Sequence, residues 1–272
     1  MDQEILRRVQ LVELEIAKEI KRVCDKHKIE YFLDGGTLLG AIRHNGFIPW
    51  DDDLDIGMLR KDYEKFAEIA SDELNDDYCF QTMETEPNYG LVFGKVRKKN
   101  TVFLEEKNSD KLIHNGFFVD IFPYDYVPDS RYKQQKQKVC LNILKRLLIA
   151  KSGHKPWIID GKKNVKKWFV FLPLRILSFF ISKKWLMKKY MTACTQYDEI
   201  GSDLVFPNGI SDYGRFFIRK DLLITIDHCF EDTSFKIPSG YDVFLHTLYG
   251  DYHQMPPEDK RYNRHGIKEI KF

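Results

Sequence analysis

Apolar residues recur at Ile5, Val9, Val12, Ile16, Ile20 and Val23, in steps of 4, 3, 4, 4 and 3. That is the repeat of a helix with one buried stripe, and it predicts a long amphipathic helix over residues 2 to about 28. The apolar run Tyr31-Phe32-Leu33 then predicts a short strand, and Asp34-Gly35-Gly36-Thr37 opens a helix that reaches about Asn45, with Gly46 as its stop. A strand through Leu54 and Ile56 follows, then a helix over Lys61–Ser71 and strands near Tyr78–Met83, Leu91–Arg97 and Phe117–Phe122. Near the C-terminus strand patterns return at Phe216–Ile218, Leu223–Asp227 and Phe235–Ile237, ahead of a helix over Tyr241–Tyr249 and a charged, turn-rich tail. The pattern predicts an α/β fold in three parts: a mixed core over 1–129, a basic helical insert over 130–200, and a C-terminal segment over 201–272 that completes the core.

Charge sharpens the division. The 272 residues carry 43 Lys and Arg against 41 Asp and Glu, a net charge of +2 that offers no nucleic-acid signal. Between Ser130 and Tyr197, however, there are 17 basic residues and one acid, Asp160, so this span holds +16 and the rest −14. Such asymmetry points to a charged partner. The longest apolar stretch, Trp168–Ser182, lies inside this span and is broken by Pro173 and Arg175. A membrane-spanning helix needs about 20 mostly apolar residues, so it does not span. Lys162, Lys163, Lys166 and Lys167 precede it, and Lys183, Lys184, Lys188 and Lys189 follow. Two readings of 162–190 stand: a segment lying on an anionic leaflet, or a core-facing helix pair with a solvated lysine face.

Five cysteines at wide spacings, with no Cys-x-x-Cys pair, predict free thiols rather than disulfides or a thiolate zinc site. The start Met1-Asp2-Gln3-Glu4 is acidic where a signal peptide is basic. The expected compartment is the cytoplasm, with peripheral contact at the inner face of the plasma membrane as the open alternative. Of the eight histidines, His44, His114 and His265 lie near motifs, and structural imidazoles are expected at each.

The densest chemical signal is GGTLLGAIRHNGFIPWDDDLDIG, Gly35 to Gly57. On a strand, side chains alternate between faces, so Asp53 and Asp55 project together while Leu54 and Ile56 enter the core. Two carboxylates so placed repel one another unless a cation lies between them, and a hard divalent ion such as Mg²⁺ suits oxygen ligands. Asp51 and Asp52 add charge beside the pair. Gly35 and Gly36 let backbone approach a ligand, and Thr37 is expected to cap a helix whose free N–H groups attract anions. A third metal ligand is expected from a neighbouring strand, and Asp120, set among Phe118, Val119, Ile121, Phe122 and Pro123, fits. Asp120 as a strand-end acid capping a turn is the alternative. Arg43, farther along the Thr37 helix, is placed to reach a phosphate or to support Asp51. No P-loop and no dinucleotide fingerprint is present.

These pieces, with FGKVRKKNT (Phe93–Thr101), FFVDIFPYD (Phe117–Asp125) and YGDYHQMPPEDKR (Tyr249–Arg261), resemble the LicD family, a branch of the polymerase-β-like nucleotidyltransferase superfamily that includes fukutin and its relatives. The resemblance implies a small mixed β-sheet of nucleotidyltransferase type flanked by helices. It also implies transfer of phosphocholine from CDP-choline to a sugar hydroxyl of a glycopolymer precursor, of teichoic acid or lipopolysaccharide type, with release of CMP. On this reading Asp53, Asp55 and Asp120 hold one or two Mg²⁺ ions, with Mn²⁺ as a substitute, and Asp120 is also the candidate base. Gly35, Gly36, Thr37, Arg43, Lys95, Arg97, Lys260 and Arg261 meet the nucleotide and its phosphates, with simple pairing to nearby carboxylates as the alternative for Lys95 and Arg97 and a solvated terminal turn as that for Lys260 and Arg261. A choline head requires aromatic faces; Trp50, Tyr124, Tyr126 and Tyr252 adjoin the motifs as candidates, against an ordinary core role for each. The partners implied are a CDP-alcohol donor and a lipid-linked or polymeric glycan acceptor. Two other functions fit less of the pattern: transfer of another phospho-alcohol (phosphoethanolamine, an aminoalkylphosphonate or a polyol phosphate), and non-catalytic binding of surface-polymer precursors.

Overall fold

The computed structural model describes residues 2–105, 113–153, 164–198, 202–207, 216–263 and 266–272, with 164–171 as backbone only. Asp160, Lys162, Lys163 and His265 therefore lie outside the described residues, and Lys166 and Lys167 are described only as helix backbone.

Helix α1 (Gln3–His27) begins on Asp2, whose side chain accepts the Glu4 N–H, and ends at Lys28 in the left-handed conformation. Of its stripe, Val9, Ile16, Ile20 and Val23 are fully buried, Val12 is partly buried and Ile5 is exposed. Strand β1 (Phe32–Leu33) leads into helix α2 (Gly35–His44), which ends on Asn45 at φ 53°. Asn45, one residue before the expected Gly46, is thus the stop; asparagine tolerates this left-handed C-terminal geometry. Strand β2 (Asp55–Leu59) and helix α3 (Arg60–Glu73) follow, then strands β3 (Tyr78–Gln81), β4 (Gly94–Lys98), β5 (Val102–Glu105) and β6 (Phe118–Val127).

The main sheet runs β1-β2-β6-β4-β3. Its β2–β6 pair is parallel and the other pairs are antiparallel, a mixed sheet. Strand β6 is central and buried almost throughout, as expected of a strand covered on both faces. The Asp120 N–H donates to the Leu54 carbonyl at 3.0 Å, so even-numbered amides of β6 face β2. Pro123, which has no N–H, therefore faces the other edge. There β4 stops pairing at Ile121, and strand β7 (Leu204–Pro207) takes over from Tyr124. A proline fits that handover because no ladder donor is needed.

Between β6 and β7 the chain forms helices α4 (Arg131–Lys151), α5 (Asn164–Phe179) and α6 (Lys183–Thr195). Leu141, Leu147, Leu148, Leu186, Tyr190 and Cys194 form a second apolar cluster there, joined by Met83 and Tyr89 of the core. Within 162–190, the core-facing reading describes the inner face of α6, where Leu186, Tyr190, Ala193 and Cys194 are buried. Among the described residues no helix is long and apolar enough to cross a membrane.

The chain returns through β7, strand β8 (Phe217–Ile218), helix α7 (Arg219–Leu223), the hairpin β9 (Thr225–Phe230) and β10 (Thr233–Pro238), and helix α8 (Tyr241–Tyr249). The charged tail holds a 3-10 turn (Glu258–Lys260) and strand β11 (Ile267–Lys271), which pairs with β5.

Candidate active site

The site is built where β1, α2, β2 and β6 meet. Asp34 caps α2 by accepting the Gly35 N–H at 2.7 Å, and the Tyr124 hydroxyl donates to both Asp34 oxygens at 2.8 and 2.9 Å. Burial raises the Asp34 carboxyl to about 6, against the opposing pull of the Tyr124 and Gly35 hydrogen bonds. Thr37 is not the cap expected from the sequence. It is the third residue of α2, buried, and its hydroxyl accepts the Asp55 N–H at 2.8 Å. Its role is to pin the start of β2 against the helix.

Gly35 has φ +49°, a left-handed conformation that glycine adopts most readily. A Cβ at Gly35 would lie 3.5 Å from Asp55 Oδ2 and 3.8 Å from the Tyr249 hydroxyl, and one at Gly36 would lie 2.9 Å from Asp51 Oδ2. The two glycines therefore let the helix start nestle among these acids.

Leu54 and Ile56 are buried while Asp53 and Asp55 are half-buried, the alternation the sequence predicts. Asp55 stands level with Asp120 across the parallel β2–β6 pair, and Asp120 stands level with Lys95 across β6–β4. Burial pushes the Asp55 carboxyl well above its ordinary range, and the carboxylates of Asp53, Asp120, Asp34 and Asp51 push it further. This surplus of negative charge around one carboxyl is what a divalent cation would relieve.

The third carboxylate is held differently from the sequence expectation. Asp120 is buried, its Oδ1 is bonded by Lys95 Nζ, and it lines neither of the cavities described below. Among the described residues no three His, Cys, Asp or Glu side chains converge as a metal site. Lys95 lies 3.4 Å from the Phe118 ring centre, and burial lowers its pKa despite the pull of Asp120. Its ammonium serves Asp120 and not the open cleft. Arg97 is also turned away from the expected phosphates: it donates to Gln81 Oε1 at 2.5 Å and to the Gly116 carbonyl at 2.6 Å, fully inside the protein. A buried guanidinium needs such acceptors, and these two occupy it.

A cleft of about 990 Å³ opens over the acids. Asp51, Asp52, Asp53 and Asp55 line it together with Gly36 and Trp50, and the basic side chains Arg43, Lys260 and Arg261 line it too. Arg43 donates to the Tyr252 carbonyl at 3.2 Å, and Arg261 lies over the Trp50 ring at 5.7 Å. A smaller cavity of about 190 Å³ is lined by Asp34, Gly35, Asp55, Tyr124 and Tyr249. The four candidate head-group aromatics do not converge. Trp50 and Tyr252 line the large cleft and Tyr124 the small cavity, whereas Tyr126 lies under Arg219, 5.6 Å away, and lines neither.

Three site residues escaped the sequence reading. Asp34 stands directly before a Gly-Gly helix start, the usual place of a capping acid. Tyr249 lines both cavities; it opens the YGDYHQMPPEDKR motif, but no spacing within that motif marks it as a site residue. Glu13 carried a readable signal: it is four residues after Val9 and three before Ile16, on the apolar stripe itself. It is 0% exposed, and neither carboxyl oxygen has a hydrogen-bond partner. Burial, then the charges of Asp53, Asp52, Asp51 and Asp55, raise its pKa well above the ordinary value. An acid with a raised folded pKa costs no stability below its unfolded pKa, and destabilises increasingly as pH rises above it. In chelator-treated protein, Glu13→Gln is therefore expected to melt higher than wild type at pH 8, with the gain vanishing by about pH 4. Thermal melts across pH check this; a gain that is flat with pH would show that Glu13 ionises freely in the fold.

Comparison with known proteins bears on this geometry. Residues 28–143 match the family model described as "LicD/FKTN/FKRP, nucleotidyltransferase domain". The chain is 32% identical to lipopolysaccharide cholinephosphotransferase LicD of Haemophilus influenzae over 275 residues, covering 96% of each. Ribitol 5-phosphate transferase FKRP of Homo sapiens is 44% identical over 59 residues, 22% of this chain and 12% of that protein. An uncharacterized protein of Rickettsia typhi is 29% identical over 126 residues, 46% of this chain and 38% of that one.

Proposed function

The chain belongs to the LicD family, and on that premise we propose that it transfers phosphocholine from CDP-choline to a sugar hydroxyl of a glycopolymer precursor, releasing CMP. The relative similar along its whole length is a cholinephosphotransferase acting on lipopolysaccharide by name, which favours choline and a glycan acceptor. The observation that carries the reading is the composition of the large cleft, in which Asp53 and Asp55 share one cavity with Arg43, Lys260 and Arg261. Such a cleft suits a nucleoside diphosphate: basic side chains for its oxygens, and acids that would hold a divalent metal.

Asp53 and Asp55 would hold a Mg²⁺ ion, and Asp120 would join them only by giving up Lys95. The ion's chemistry would be to neutralise the departing phosphate and to acidify the attacking hydroxyl. The chain's own residues do the rest. Arg43 and the tail residues Lys260 and Arg261 orient the diphosphate. Gly35 and Gly36 keep the wall beside Asp55 and Asp51 free of side chains. Trp50, half-buried on the cleft wall, offers a ring face to a quaternary ammonium, worth ~0.5–2 kcal/mol, whereas the Tyr252 ring is buried and packed on His253 at 4.2 Å. The acceptor hydroxyl oxygen forms a bond to the distal phosphorus as the phosphoanhydride bond to CMP breaks, and the hydroxyl proton is released to solvent.

The similarity to a ribitol 5-phosphate transferase over 59 residues favours, as the second reading, a polyol phosphate donor on the same scaffold. Both are tested by CMP release from CDP-choline, CDP-ethanolamine and CDP-ribitol, with a lipopolysaccharide or teichoic acid acceptor, in Mg²⁺ and in chelator. CDP-choline is expected to be the best donor, and only with Mg²⁺. Release from CDP-ribitol alone would replace choline with the polyol, and no release from any of the three would end the enzymatic proposal.

A further inference from the structure

We propose that the end of α5 and the start of α6 form a docking face for an anionic lipid surface. Phe179 and Phe180 are 78% and 79% exposed, packed edge to face on each other at 5.7 Å, and Ile176, Leu177 and Trp185 are each about half exposed. Five large apolar side chains lie exposed within ten residues on the outside of the protein, and concentrations of exposed apolar surface mark interaction sites. The core does not claim them: α6 meets the core through Leu186, Tyr190, Ala193 and Cys194 instead.

Charge names the partner. Arg175, Lys184, Lys188 and Lys189 are exposed in the same stretch. No Asp or Glu occurs among the described residues between Ser130 and Tyr197. Aromatic rings beside lysines are the composition of a segment that buries its rings at the headgroup boundary while its cations meet anionic lipid. A soluble anionic polymer would neutralise the lysines yet leave both phenylalanines in water, so lipid satisfies more of the face. The patch is also fastened to the catalytic body. Lys183 Nζ donates to the Met83 and Pro87 carbonyls at 2.7 and 2.9 Å, and Lys151 Nζ donates to the Phe179 carbonyl at 3.2 Å. Docking would therefore hold the enzyme rigidly on its surface, whatever donor it uses.

The test is co-sedimentation of the full chain with phosphatidylcholine vesicles, with and without phosphatidylglycerol. Binding is expected only where phosphatidylglycerol is present. Phe179→Ser/Phe180→Ser and Lys184→Glu/Lys188→Glu are each expected to weaken it at least about tenfold, with unchanged melting temperatures because all four side chains are exposed. Absence of binding, equal binding to both vesicle types, or full binding by the phenylalanine variant would overturn the proposal; the last result would leave a purely electrostatic polymer site. So would a wild-type dimer on light scattering that the phenylalanine variant dissolves, since a second copy would then cover the patch.

Discussion

Asp55→Ala is expected to lower kcat/KM for CMP release by at least about 10²–10³-fold, the usual loss when one stabiliser of a phosphoryl or acyl transition state is removed. Asp53→Ala is expected to do the same, because the two carboxylates share one cleft and one proposed cation. The measurement is steady-state turnover in Mg²⁺, with a thermal melt beside it. The melt separates function from folding. Asp55 lies half-buried among the charges of Asp53, Asp120, Asp34 and Asp51, so its removal relieves repulsion, and the variant is expected to melt at or above the wild-type temperature. A carboxylate that costs stability is retained for another purpose, as functional sites commonly show. Near-normal turnover in either variant would sink the metal assignment.

Asp125→Ala should cost about 3–5 kcal/mol of folding stability, the loss typical when one partner of a buried ion pair is removed. Arg60 Nε and one terminal nitrogen donate to the two Asp125 oxygens at 2.5 and 2.7 Å, with side chains 5% and 0% exposed. Burial opposes the charge on Arg60, yet Asp125 outweighs it and holds the guanidinium pKa above its ordinary value. Remove Asp125, and that guanidinium is stranded. The pair does more than join α3 to β6: Arg60 also reaches Met191 Sδ at 3.9 Å, at the root of the helical insert. The melting temperature is expected to fall by roughly 6–20 °C. The double variant Arg60→Met/Asp125→Leu should recover most of the loss, since apolar replacement of a buried pair is often neutral or better. Failure of Asp125→Ala to lower the melt would show that the pair contributes nothing net.

Local rules explain what was legible and what was not. Helix α8 falls on Tyr241–Tyr249 and α1 on Gln3–His27, close to their expected bounds, because each carries a full apolar stripe. Strand β7 was not predicted: Leu204–Pro207 is four residues long and exists as a strand through pairing with β6 and β8. Strand β11, read as a charged tail, pairs with β5, which was not predicted either. Such edges depend on partners far away in sequence, which periodicity cannot report. At the site, the Asp53 and Asp55 alternation was readable because strand geometry is local. The choice for Lys95 and Arg97 between donor phosphates and nearby carboxylates was not. Both lie on β4 beside a motif rich in charge, and only the packing of β3 and β6 around them shows that Gln81, Gly116 and Asp120 take up their donors.

The amino-acid order by itself determined the mixed α/β class, the acid pair ahead of a glycine-opened helix, the polarised charge of the insert and the family resemblance, since each follows from neighbours within a few positions. Tertiary structure alone decided that Asp34 and not Thr37 caps α2, that Asp120 is covered by Lys95, that an unpartnered Glu13 lies buried near the acids, and that Phe179 and Phe180 face outward. The physical reason is common to all four. A polar or aromatic side chain takes its role from what surrounds it in space, and burial and pairing bring together groups that the chain keeps far apart.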